Sequence, residues 1–351
     1  MLSNLSALIW TIRELRNCLL VLFIVIFSQK VWATIEVRTI DVGPGLCIII
    51  KDHLTEKVVL YDAGRWDNEF CYLDLYKNMP NQIIDLVILS HSDSDHIGNV
   101  TKILNRFTPK IVIHTGYERE RVKTWRKVNQ SLSESVQRGA SVINLSSLGL
   151  EQVKRVFEIG NFKVELLSGG DIWYKSADKS DVTELSESKL RNSISITAKL
   201  SAYGKSLLFT GDIVGRKEID DNEHCSYSEK YLVDSYKKMN SDVLFLPHHG
   251  ANNASSKCFI EAVSPSYMII SAGHKYSHPR SSTLNRSLNA LGISKENVLR
   301  TDRGDDEGSL EWGHLRIPGC KDVAGDDNIV TFIKPSGELL VLYENEDNIC
   351  S

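Results

Sequence analysis

Short apolar runs set the rhythm of the first part of the chain. Ile35 to Asp41, Leu46 to Lys51 and Lys57 to Asp62 are separated by Gly43-Pro44-Gly45 and by the polar stretch Asp52 to Glu56. Runs of this length between turn residues predict a meander that opens a β-sheet. Ile83 to Ser90 is apolar almost throughout, the pattern of a strand covered on both faces. Ile97, Val100, Ile103 and Leu104 then recur at helical spacing and predict a helix to about Phe107. Further strands are expected over 110–114, 141–145, 162–167, 193–200, 205–209, 242–246, 267–271, 298–301, 329–333 and 339–343. Helices are expected within 118–137, 228–239, 256–263 and 279–291. The segment 169–190 is polar, rich in Ser and Asp, and has the composition of a long exposed loop. A meander followed by strands alternating with helices predicts a layered α/β domain.

The residues at the strand ends change this picture from a fold to a site. The strand 83–90 runs into His91-Ser92-Asp93-Ser94-Asp95-His96, which places two histidines and two aspartates within six positions. A tight turn between a strand and a helix can aim all four at one point. Imidazole nitrogen with carboxylate oxygen is a donor set for a divalent metal. A helix N-cap would account for Asp95 alone and for neither histidine. The strand 205–209 ends at Asp212, the strand 242–246 at His248-His249, and the strand 267–271 at His274 with His278 beyond. Sites of open α/β sheets gather where strand ends bring loops together. His114 also ends a strand but has no motif around it, and His53, His224 and His314 have the surroundings of solvated residues.

Charge and cysteine content add limits. The formal net charge of the 351 residues is -4, with no basic block, so there is no footprint for tight binding to a long polyanion. A nucleic-acid substrate stays open, because metal ions supply local positive charge. Arg13 and Arg16 precede an apolar stretch, Cys18 to Phe27, and Val31-Trp32-Ala33 has the form of a cleavage site. Residues 1–33 are therefore expected to be a secretory signal peptide, and 34–351 a single domain that is periplasmic or secreted, with no stable membrane span after cleavage. An uncleaved N-terminal anchor is the alternative. Six cysteines outside the signal permit disulfides, and none has the C-x-x-C spacing of a thiolate metal site.

Taken in order, these motifs resemble the metallo-β-lactamase superfamily. His91-x-Asp93-x-Asp95-His96 is similar to its H-x-[HD]-x-D-H motif, and Thr210-Gly211-Asp212 to its metal-bridging aspartate. Within the superfamily the match is nearest to the nuclease-like domains of competence (DNA-uptake) channel proteins. It is carried by Asp41-Val42-Gly43-Pro44-Gly45, Asp62-Ala63-Gly64, His248-His249-Gly250 and Ser277-His278-Pro279. The resemblance implies a four-layer αββα sandwich with a metal site at one edge. It implies one ion on His91 and Asp93, a second on Asp95, His96 and His249, and Asp212 between them. It also implies His248 near the scissile group, His278 near the leaving group or phosphate, and Asp62 accepting an N–H from a ligand histidine. Asp93 replaces the usual second histidine, and the added oxygen ligand moves the preference from Zn²⁺ alone toward Mn²⁺, Mg²⁺ or a mixed site. No histidine lies between His114 and Asp212, where a further ligand to the first ion is usual; Arg191-Asn192-Ser193 stands there, with Asn192 as a weak ligand or a water-orienting group. Leu46 stands where the competence type has an acidic residue.

The implied reaction is hydrolysis by a hydroxide formed on one or two divalent ions, with Asp95 or Asp212 taking a proton and His278 or His248 protonating the departing oxygen. Helix starts near Ser256 and Ser281, with Lys275 and Arg280, favour an anionic substrate. The expected function is an exported phosphodiesterase or nuclease acting on a small-molecule or polymeric phosphodiester. Hydrolysis of a lactone, a β-lactam or a phosphocholine ester is the second reading, and a non-catalytic binding module the third.

Overall fold

The computed structural model describes residues 34–79, 81–176, 185–217, 224–273, 276–303, 325 and 327–345. The expected signal segment 1–33 lies outside them, as do His274 and Lys275. Strands β1 (Ile35–Thr39), β2 (Ile48–Asp52) and β3 (Lys57–Tyr61) form the expected antiparallel meander. Then β4 (Ile83–Leu89), β5 (Thr108–His114) and β6 (Ser141–Asn144) extend the sheet in parallel. At its other side β14 (Ile329–Ile333) pairs antiparallel with β1, and β15 (Leu339–Tyr343) forms the edge, giving the order 15-14-1-2-3-4-5-6.

The second sheet begins antiparallel with β7 (Val156–Ile159), β8 (Phe162–Ser168), β9 (Thr197–Ala202) and β10 (Lys205–Phe209). It continues in parallel with β11 (Val243–Phe245), β12 (Tyr267–Ile270) and β13 (Val298–Arg300), in the order 13-12-11-10-9-8-7.

Side-chain alternation explains why these strands are apolar on both faces. In β2, Ile48 and Ile50 point into the space between the sheets, while Ile49 packs outward under helices. In β4, Leu86 and Ile88 face inward, and Val87 and Leu89 face outward. The inner layer meets Val164, Leu166, Leu200, Leu207 and Phe209 of the second sheet. Helices Phe70–Asn78, Val100–Arg106 and Lys123–Gln137 cover the first sheet through Leu75, Ile103, Leu104, Val128 and Leu132. Helices Tyr227–Ser235, Lys257–Val263 and Ser281–Leu291 cover the second through Leu232, Phe259, Ile260 and Leu284. The result is an α/β sandwich of four layers, αββα.

Two local expectations are corrected. The helix after His96 is two pieces, Ser94–Ile97 and Val100–Arg106. The stretch read as one exposed loop holds the helices Ile172–Ser176 and Glu187–Ser193, and Trp173 in the first is buried against Ile194, Val214 and Tyr227. Disulfides join Cys47 to Cys71 and Cys225 to Cys258. Among the described residues, no helix is long and apolar enough to cross a membrane.

Candidate metal centre

The first half of the site hangs from β3 and β4. Asp62 follows β3 with a left-handed backbone (φ 58°) and is fully buried. One carboxylate oxygen accepts the Ser90 N–H at 2.7 Å; the other accepts the Ser90 hydroxyl at 2.5 Å and His96 Nδ1 at 2.7 Å. One aspartate thus ties the ends of two strands together and fixes the His96 ring. With Nδ1 donating to Asp62, Nε2 is the His96 nitrogen turned toward Asp212 and His249, and it carries the lone pair when the ring is neutral. The Gly43-Pro44-Gly45 turn presses on the same loop: a Cβ at Gly45 would fall 2.4 Å from the Asp95 carbonyl oxygen, so no larger residue fits.

The second half comes from the other sheet. Asp212 lies just past β10, its N–H held by the Ser195 hydroxyl at 3.1 Å. His248 and His249 follow β11 with φ of 50° and 54°, a left-handed pair that costs on the order of 1–3 kcal/mol per residue. The cost aims both rings at Asp212. His249 Nδ1 donates to the Ser271 carbonyl at 2.8 Å, so its Nε2 also presents a lone pair. His248 donates from Nδ1 to Asn253 Oδ1 at 2.8 Å and accepts at Nε2 from Asn192 Nδ2 at 3.0 Å, the bonds of a neutral ring.

These groups converge. His96 Nε2 lies 3.1 Å from His249 Nε2 and 3.2 Å from Asp212 Oδ1. His249 Nε2 is 3.5 Å from the same oxygen, and His91 Nε2 is 3.7 Å from Asp212 Oδ2. His91 Nε2 and Asp212 Oδ1 are buried with no hydrogen-bond donor. Lone pairs packed this closely repel unless a positive charge sits among them. Burial pushes the His91 imidazole down to about 3, so it supplies none. Burial also opposes charge on His96, but the Asp212 and Asp62 carboxylates outweigh it and hold His96 well above the usual histidine range. Asp212 is in turn held well below the usual carboxylate range, its burial outweighed by His96, His249, His248 and His91. The centre requires one positive charge, which a proton on His96 or a cation supplies. Two ligand groups are within coordinating reach: His91, His96 and Asp212; and Asp95, His96 and His249, each with donor atoms inside 4.8 Å. Neighbouring donors about 3.1–3.5 Å apart suit metal–ligand bonds of ~2.1 Å, so these residues fit a divalent ion.

Asp93 lies in neither ligand group; its Oδ1 is taken by Arg119 and Arg191, and Oδ2 is 3.9 Å from His91 Nε2. Asn192 holds His248. His278 faces His248 with ring centres 5.7 Å apart. A cleft of about 260 Å³ opens over Asp95, Asp212, His248, His278, Asn192 and Tyr276. Ser256 belongs elsewhere: its N–H and hydroxyl are both taken by the buried Glu229, so that helix start is closed to a substrate anion. Lys275 lies outside the described residues. His114 accepts from Gly116 N–H and packs on Trp125. Sequence reasoning passed over Ser90, Asn253, Arg119 and the pairing role of Arg191. Of these only Ser90 carried a signal, as the last residue of the strand before His91.

A buried His/Asp centre at the strand ends of an αββα sandwich defines a metallohydrolase-like class of protein. The chain belongs to the metallo-beta-lactamase superfamily, whose family model matches residues 40–274. It is similar to ComE operon protein 3 of Bacillus subtilis, 24% identical over 323 residues, covering 86% of this chain and 36% of that protein. It is also similar to competence protein ComA of Neisseria gonorrhoeae, 37% identical over 125 residues, 35% of this chain and 16% of that one. The chain thus spans about a third or less of the length of these relatives. A solved structure with a similar arrangement is the metallo-beta-lactamase fold protein YhfI of Bacillus subtilis, 12% identical, TM-score 0.43, covering 76% of this chain and 95% of that one.

Proposed function

We propose that this chain is an exported metal-dependent phosphodiesterase, with a nucleic-acid strand within its range of substrates. The observation that carries the reading is the convergence of the His96, His249 and His91 Nε2 atoms on the Asp212 carboxylate. His91, Asp95, His96, Asp212 and His249 would hold the divalent ion. When bound, such an ion supplies Lewis acidity, acidifying water and polarising an ester oxygen. The chain supplies the rest. Asp62 and the Ser271 carbonyl keep the ligand rings in one tautomer. Asp95 borders the cleft and is placed to take the proton from an attacking water. His278 is pushed down to about 3 by burial and by the neighbouring His248, His249 and Arg280. It therefore rests neutral, and it must gain a proton during the reaction before it can give one to the leaving oxygen. Asn192 and His248 line the same cleft, and the second amide N–H of Asn192 is the donor they leave for a phosphoryl oxygen. The similarity to competence proteins favours a phosphodiester over a β-lactam. Two disulfides favour an oxidising compartment and hence export.

The test is turnover of bis(p-nitrophenyl) phosphate beside a chromogenic β-lactam, with Mn²⁺ or Zn²⁺ added. Diester turnover is expected, reduced at least ~100-fold in Asp212→Ala. Turnover of the β-lactam alone would overturn the phosphodiesterase reading in favour of the second. Bound metal with no turnover of either would leave a binding module.

A further inference from the structure

Resting on the metal reading above, the other half of the site carries a second inference. Asp93 Oδ1 accepts Arg119 Nη1 and Arg191 Nε, each at 2.7 Å. Arg119 also donates to the Ser92 carbonyl at 3.1 Å, which pins it to the loop between His91 and His96. The Arg191 side chain is only 10% exposed, and its Nη1 reaches Glu187 at 3.4 Å. Two part-buried guanidiniums meet on one carboxylate, with only the largely exposed Glu187 as a second acid, where the resemblance expects an ion on His91 and Asp93. Their charge is permanent, because a guanidinium does not lose its proton in a protein. The nearby Asn192 is held through its amide N–H on His248, and its Oδ1 is buried without a hydrogen-bond partner. The opposite side differs, offering His96, His249, Asp95 and Asp212 together.

We propose that Arg119 and Arg191, seated on Asp93, stand in for a second cation, so that the centre takes one divalent ion, on its His96–His249 side. A second ion entering beside His91 would meet two guanidiniums in a poorly solvated pocket, where like charges are weakly screened. The arginine pair would also keep positive charge beside the cleft at any metal concentration.

Metal stoichiometry reads this without reference to turnover. Equilibrium dialysis of the purified protein against Mn²⁺, with elemental analysis, is expected to give one ion per chain. Arg119→Ala/Arg191→Ala is expected to gain a second, with the electron paramagnetic resonance signal of a coupled Mn²⁺ pair. Arg119→Lys/Arg191→Lys keeps the charges and is expected to stay at one. His249→Ala is expected to lose the ion. Two ions of comparable affinity in the wild type, or a single ion in the alanine double variant with circular dichroism unchanged, would overturn the proposal. If that variant does not fold, Arg191→Ala alone serves, with an expected rise of at least tenfold in affinity for a second ion; no rise would overturn the proposal too. A count of zero in the wild type sinks this inference and the metal reading together, whereas a count of one with no ester turnover sinks only the phosphodiesterase.

Discussion

At the scale of single residues, Asp62 shows how much one carboxylate decides. It accepts from the Ser90 backbone, the Ser90 hydroxyl and His96, and it touches no cleft. Its effect on metal binding runs entirely through the His96 ring. Asp62→Ala is expected to weaken divalent-ion affinity by ~10–100-fold by isothermal titration. Asp62→Asn, which tolerates the left-handed backbone at this position, should lose less. Residue patterning made much of this visible: six histidines at strand ends and Asp212 after an apolar run pointed to one place. The engagement of Asp93 was not visible, because its partners Arg119 and Arg191 stand 26 and 98 positions away, and nothing in the sequence around either points to Asp93. A side chain's type announces what it can bind, whereas its neighbours decide what it does bind.

At the scale of elements, the start of the helix Lys257–Val263 gives the opposite lesson. Ser255-Ser256 has the signature of an open anion-binding terminus, yet Glu229 accepts both backbone N–H groups, at 2.6 and 2.9 Å. The carboxylate arrives from helix Tyr227–Ser235, about one helix earlier in the chain, and local patterning cannot show that. Burial pushes Glu229 up to about 7, outweighing the bonds from Ser256 and Ser255 that lower it. A raised carboxyl binds its proton more tightly folded than unfolded. Its contribution is therefore fully present below its unfolded pKa and is lost as pH rises toward 7. Glu229→Gln removes this dependence. In chemical denaturation, the stability gap between variant and parent is expected to shift toward the variant by up to roughly 3 kcal/mol between about pH 4.5 and 8. Helix Phe70–Asn78 escaped prediction because it buries only Cys71 and Leu75, too few positions to set a period.

At the scale of the whole molecule, the layered architecture was legible because central strands such as β2 and β4 are apolar on both faces. The order of strands within each sheet was not, since β14 pairs with β1 across nearly the whole chain, Ile329 opposite Thr39. The same closure has a thermodynamic side. Asp95 and His96 belong to one sheet, and Asp212 and His249 to the other. An ion among them is a clasp across the seam between two halves that also meet through apolar packing and through bonds such as Tyr61 to the Ile196 carbonyl and Arg191 to Asp93. Ions bound this way stabilise by mass action, about 2.7 kcal/mol at a hundredfold excess over Kd. Chelation with EDTA should therefore lower the thermal midpoint of the wild type, and leave that of Asp212→Ala unmoved. The midpoint should also climb with added metal until the clasp is saturated. Loss of the ion would then be felt first as a loosened joint between the sheets, so that stability itself reports the metal supply.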